Sequence, residues 1–87
     1  MRAVVTVIGK DMVGLIAKVA TCCADANVNV DEVTQSVLRE YFAMIMLVDI
    51  SHINTDLAGL TAAIERAVPD MQVRVMHEDI FNSMHRI

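Results

Sequence analysis

Two glycines five residues apart, Gly9 and Gly14, separate an apolar strand-like run from an apolar helix-like run in GKDMVGLIAKV, residues 9–19. The separation matches the start of the phosphate-binding pattern G-x-x-x-x-G-K-[ST], in which backbone N–H groups cradle phosphates and a Lys and a hydroxyl complete the site. Leu15 and Ile16 stand where that Lys and hydroxyl must be, so no side chain reaches a phosphate or holds magnesium. Gly9-Lys10-Asp11 also lacks the second glycine of a dinucleotide fingerprint. What survives is a loop leading into a helix, where backbone N–H groups have no intrahelical partner. Gly14 falls near the third position of that expected helix and would offer its N–H with no side chain in the way. Glycine inside a helix costs ~1 kcal/mol relative to Ala, so it asks for a reason. Close approach of a ligand carboxylate is one. Close approach of a neighbouring strand or subunit is the other, and the loop alone does not decide between them.

The remaining reactive residue types form no constellation. His77-Glu78 opens like the zinc motif H-E-x-x-H, but Phe81 takes the place of the second histidine. His52, His77 and His85 fall in separate elements, without ligand spacing. Cys22 and Cys23 are adjacent on an expected helix, so their side chains point ~100° apart and do not bridge. Set among apolar residues, they read as structural thiols in a reducing compartment. No pair of carboxylates is placed for general acid and base work. The sequence therefore predicts no metal, no cofactor and no enzyme.

The elements that position the loop follow from periodicity. Residues 2–8, RAVVTVI, are short and β-branched and read as a strand. In residues 12–26 the polar side chains Lys18, Thr21 and Asp25 form one stripe at helical spacing. Asp11 is the expected N-cap of that helix, and Asn27 its end, because Asn tolerates the left-handed conformation. Residues 28–38 read as a second strand, kinked near Asp31-Glu32, and 41–50 as a third, joined by the two-residue link Arg39-Glu40. A second helix spans 55–67, with Thr55 as cap, an apolar stripe of Leu57, Leu60, Ile64 and Ala67, and Pro69 beyond its end. Residues 71–77 are a fourth strand, and the tail EDIFNSMHRI is expected to form a short helix.

The order β-α-β-β-α-β, with right-handed crossovers, predicts an α+β, ferredoxin-like sandwich: a four-stranded antiparallel sheet with two helices on one face. With 87 residues the chain is one domain, 1–87. The bare face of such a sheet should be polar, yet the third strand is apolar on both sides: Phe42, Met44, Met46, Val48 and Ile50 against Tyr41, Ala43, Ile45 and Leu47. The first strand and first helix are also too apolar for simple surface elements. Excess apolar surface of this kind marks an interface, so the sequence predicts a homo-oligomer, most simply a two-fold dimer. Folding back of Ile80, Phe81, Met84 and Ile87 would cover part of the same excess.

Net charge is −4, and the seven basic residues are scattered without interleaved aromatics, so nucleic-acid binding has no electrostatic footprint. No apolar run approaches the ~20 residues that span a bilayer, and the opening MRAVVTVIGKD lacks signal-peptide features. A cytoplasmic location is expected, without membrane or nucleic-acid partners.

Asp11, Gly14, Leu15-Ile16 and Asn27-Val28-Asn29-Val30 together resemble the opening of the ACT domain family: a strand, an Asp-x-x-Gly-Ile-Ile-type loop, a helix, then Asn-Ile-Asn-Ile leading into the second strand. The resemblance covers essentially the whole chain and is close to small stand-alone members from bacteria and archaea. It implies a regulatory module that binds an amino acid or similar small effector between two domains, against the first loop and the start of the second strand. Carried over residue by residue, the implied ligand-binding set is Asp11, Gly14, Asn27, Val28 and Asn29. N–H groups near Gly14 would suit a carboxylate, and Asp11 with the Asn29 amide an ammonium group. This sequence has Val13 where many effector-binding members have Pro, and no enzyme domain is attached, so the target would be a separate protein. The alternative is an interaction or assembly module that binds no ligand.

Overall fold

The computed structural model describes residues 1–10 and 13–84. Its elements are β1 (Arg2–Lys10), α1 (Leu15–Asp25), β2 (Asn29–Leu38), β3 (Tyr41–Asp49), α2 (Leu57–Ala67), β4 (Gln72–His77) and α3 (Glu78–Met84). The four strands form one sheet in the order β2-β3-β1-β4, every neighbour antiparallel. This is the expected ferredoxin-like arrangement.

Alternation sets the core. Ala3, Val5 and Val7 of β1 and Phe42, Met44, Met46 and Val48 of β3 are buried on one sheet face. Against them pack Leu15, Val19 and Cys23 of α1 and Leu60 and Ile64 of α2, each set spaced by four and so aligned on one side of its helix. Among the described residues no polar or charged side chain is buried, and no buried side-chain N or O atom lacks a partner.

The helix boundaries correct two expectations. α1 begins at Leu15 and not at residue 12, and its N-cap is Gly14, with φ 77° and ψ 13° and no side-chain capping bond. Gly14 is therefore outside the helix. It is glycine because the chain turns through the left-handed region there, not because the helix interior needs a small residue. Asp11, the expected cap, lies outside the described residues, and the capping position belongs to Gly14 in its place. At α2 the cap is Asp56 and not Thr55: its Oδ1 accepts from the Gly59 backbone N–H at 2.7 Å. Both residue types suit a cap, and the start of the helix one residue later selects the aspartate.

Asn27 ends α1 as expected, at φ 59°. The Asn27 N–H donates to the Ala24 carbonyl at 3.0 Å and the Val28 N–H to that of Cys23 at 2.8 Å. These are the two bonds of a Schellman motif, and Cys23 and Val28 supply its apolar contact inside the core. The kink expected near Asp31-Glu32 is a bulge at Asp31: Val30 pairs with Val48 and Glu32 with Leu47. Arg39 and Glu40 close the β2–β3 hairpin, with Arg39 at φ 57° taking the position usually given to Gly or Asn.

The tail helix α3 packs on β1 and β4, where Val4, on the sheet face away from the two long helices, is only 3% exposed. The Arg2 guanidinium grips the Glu78 carboxylate through two contacts, at 2.8 and 3.2 Å. Among the described residues tail coverage stops there, with Ile80 and Met84 exposed, and Ile87 lies outside the described residues. Around β2, Val33, Val37, Leu38, Tyr41 and Ile45 stay exposed.

Candidate functional site

The end of α1 builds a polar concavity. Left-handed geometry at Asn27 turns the chain sharply into β2, and the Asn27 side-chain amide donates to the His52 carbonyl at 2.9 Å. Asn54 ties the same corner from the other side: its amide donates to the Asp25 carbonyl at 2.9 Å and its backbone N–H to the Ala26 carbonyl at 3.0 Å. The turn that follows β3 is thereby fixed onto the C-terminal end of α1. Across the sheet Asn29 is in register with Asp49. The Asn29 amide donates to Asp31 Oδ1 at 2.9 Å, and Asp49 Oδ1 accepts the Ser51 backbone N–H at 2.8 Å. The Ser51 hydroxyl and backbone N–H beside Asp49 hold its carboxyl below the ordinary aspartate range. Ala24, Asn27, Val28, Asn29, Asp49 and His52 line an open cleft of about 390 Å³.

Three of the residues expected at a ligand site therefore meet at one corner: Asn27, Val28 and Asn29. Val28 is 5% exposed, so it forms the cleft's apolar floor. Gly14 is not with them. The 11 residues of α1 lie between, and a helix of that length spans ~16 Å. Within one chain the glycine turn and the Asn27–Asn29 corner sit at opposite ends of α1, and Asp11 falls outside the described residues. Asp49 and His52 escaped the sequence reading. Each is an ordinary polar residue with no motif around it, and only strand register brings Asp49 beside Asn29.

The reactive residue types stay apart. The Cys23 thiol is pushed up to about 11 by burial, and burial together with the Asp25 charge raises that of half-buried Cys22. The Cys22 thiol lies 3.6 Å from the Ala63 carbonyl, as a weak donor to it. Thiols raised in this way are poor nucleophiles. With an aromatic disulfide reagent at neutral pH, Cys23 is expected to react only after the chain is unfolded, and Cys22 more slowly than a free thiol. Rapid native-state labelling of both would overturn this assignment. Among the described residues no group of three or more His, Cys, Asp and Glu side chains is arranged to hold a metal ion. Glu78 of the broken zinc-like motif is paired with Arg2. No helix among the described residues is long and apolar enough to cross a membrane.

Comparison with known proteins agrees with the fold. The sequence pattern of the ACT domain matches residues 2–78. A UPF0237 protein of Methanocaldococcus jannaschii is 46% identical over 88 residues, covering 99% of this chain and 98% of that protein. Among solved structures, an ACT domain protein from Streptococcus pneumoniae superposes with a TM-score of 0.77 at 32% identity, covering 98% of each chain. The regulatory subunit of aspartate kinase from Thermus thermophilus, in a ligand-free form, shares the fold alone, with a TM-score of 0.63 at 22% identity over 85% of this chain and 49% of that one.

Proposed function

Because the chain belongs to the ACT domain family, whose members are generally small-molecule-binding regulatory modules, we propose that it is a cytoplasmic, non-catalytic sensor. In this reading it binds an amino acid or similar metabolite as a homodimer and acts on a separate protein target. The observation that carries the reading is the polar corner formed by Asn27, Val28 and Asn29 at the start of β2, where the resemblance to the family implies an effector site. The ligand would lie between that corner and the Gly14 turn.

The distance between Gly14 and Asn29 within one chain supports a shared site. β2 is the outer strand of the sheet, and apolar side chains flank it on both faces: Val33 and Val37 on the helix side, Leu38 on the other. A second copy pairing antiparallel along β2 would cover both flanks and satisfy the strand's free backbone groups. Asn29 begins β2 beside Asp49, whereas Leu38 ends it beside Tyr41 and so beside Lys10, the last residue of β1. Two-fold antiparallel pairing sets these opposite ends of the sheet against each other. The Gly14 turn of one copy is thereby carried toward the Asn29 corner of its partner. Tyr41 and Ile45 extend the apolar surface onto the adjoining strand.

A thermal-shift screen with the common amino acids tests the sensor. A ligand at about 100 times its dissociation constant stabilises the folded state by ~2.7 kcal/mol. At ~4–8 °C per kcal/mol for a domain of this size, that raises Tm by ~10–20 °C. Asn29→Ala is expected to abolish the shift while leaving Tm without ligand nearly unchanged, because Asn29 is exposed and, among the described residues, its side chain bonds only Asp31. Absence of any shift across the panel, or an unchanged shift in Asn29→Ala, would overturn the reading.

A further inference from the structure

We propose that the cleft at the C-terminal end of α1 is an ammonium subsite, with the Asp49 carboxylate as its counter-charge and the Asn27 and Asn29 amide oxygens and the His52 ring as its walls. The proposal deepens the sensor reading and rests on it for the source of the ammonium group. It moves recognition of the cationic end of a ligand from Asp11 to Asp49.

Charge and hydrogen-bond capacity both point this way. Asp49 is the one formally charged side chain lining the cleft, and neither Lys nor Arg lines it. A ligand carboxylate placed there would meet the Asp49 carboxylate with no Lys or Arg in the lining; the Met1 ammonium, which donates to the Ser51 hydroxyl at 3.1 Å, acts on Asp49 from outside the cleft. The two asparagine amides have a fixed orientation. The Asn27 NH₂ faces the His52 carbonyl and the Asn29 NH₂ the Asp31 carboxylate. Both partners are acceptors only, so neither amide can flip without losing its bond. Each NH₂ is thus partly committed, whereas both Oδ1 atoms keep their lone pairs for a ligand. The Ser51 N–H and hydroxyl occupy part of the Asp49 carboxylate, which has about four lone-pair sites in all. The surplus in the cleft is of acceptors, which an ammonium group with three donors fits. The C-terminal end of α1 adds the negative pole of its backbone dipole, which favours a cation at this position. The cleft is also prebuilt: the Schellman turn, the Asn27–His52 bond and the two Asn54 bonds fix its walls before a ligand arrives.

The chemistry has two sources, a simple amine or the ammonium end of an amino acid, and a three-probe titration separates them. The full chain, labelled with ¹⁵N, is titrated with propylamine, alanine and propionate while backbone amide resonances are followed. Propylamine is expected to shift the amides of Asn27, Asn29 and His52 saturably, and propionate is expected to leave them in place. Alanine moving the same resonances assigns the site to zwitterions as well as amines, and alanine silent there restricts it to amines. In either case Asp49→Asn is expected to weaken propylamine binding roughly tenfold or more. Asp70→Asn, which removes the same charge elsewhere, is expected to leave it within about twofold. The spectrum of each variant reports that the fold is intact. Equal response to propionate, no saturable response to propylamine, or equal affinities in the two variants would overturn the proposal. The two readings fail separately. Amino-acid shifts confined to the Gly14 turn would keep the sensor and remove this subsite. Propylamine binding that depends on Asp49, with no amino acid raising Tm, would keep the subsite and remove the amino-acid sensor.

Discussion

Ile64→Ala is expected to destabilise the domain by ~2–5 kcal/mol, the range for truncating a fully buried aliphatic side chain to Ala. Ile64 has no exposed surface and sits on the face of α2 that closes over the sheet, one turn after Leu60, which is equally buried. The neighbouring core is made of Val, Leu and Met side chains held by two helices and four strands, so the cavity has little freedom to collapse. Domains of this size hold ~5–15 kcal/mol in total, and a loss near the middle of the range lowers Tm by ~12–24 °C. Val13→Ala is the matched control. Val13 is 95% exposed, and its truncation is expected to change stability by less than ~0.5 kcal/mol. Urea titrations of both variants at one protein concentration make the comparison, since association stabilises by mass action. Equal losses in the two would mean that α2 does not close the core as described.

The contrast between those residues also explains what the sequence made legible. Leu60 and Ile64 announce themselves by a spacing of four, and the strands by two-residue alternation, because burial on one face imposes those periods on the chain itself. Asn27 was readable for the same kind of reason: the left-handed conformation that ends α1 is a local demand met by a particular residue type. The Asp31 bulge was legible because paired acids interrupt an apolar alternation. Cap positions were less so. Thr55 and Asp56 are both competent caps, and the choice rests on where the packing of α2 lets the first turn begin. Gly14 misled because a glycine before a helix and a glycine inside one look alike in sequence, although their φ angles differ in sign. The cleft was only half visible. Asn27, Val28 and Asn29 are contiguous, but Asp49 and His52 arrive from about twenty residues downstream through strand register and the Asn27–His52 bond. No local pattern encodes such a meeting.

The same logic governs β2, where Val33, Val37 and Leu38 stay exposed. Val33→Lys combined with Val37→Lys is expected to convert the proposed dimer into a monomer. Light scattering should fall from about twice the 9.6 kDa chain mass to that mass itself. Val33 is 39% and Val37 64% exposed, on the helix side of the edge strand, in register with buried Met46 and Phe42. Lysine there keeps its stem on the apolar surface and its ammonium in water. The folded monomer should therefore lose at most ~1 kcal/mol, and the far-ultraviolet circular dichroism spectrum should not change. The dimer bears the full effect. Val33 lies near the middle of β2, so a two-fold antiparallel pairing brings its two copies close to the axis, where like charges repel. Lysine on an edge strand is also the residue type by which natural sheets prevent such pairing. If the Gly14 turn of one copy completes the site at the Asn29 corner of the other, the monomeric variant should also lose the amino-acid-dependent rise in Tm, although every proposed ligand-binding residue is still present. A wild-type chain that is monomeric at all concentrations would remove the dimer. A double variant that stays dimeric would remove β2 from its interface. A monomeric variant that keeps the full shift would show that one chain holds a complete site.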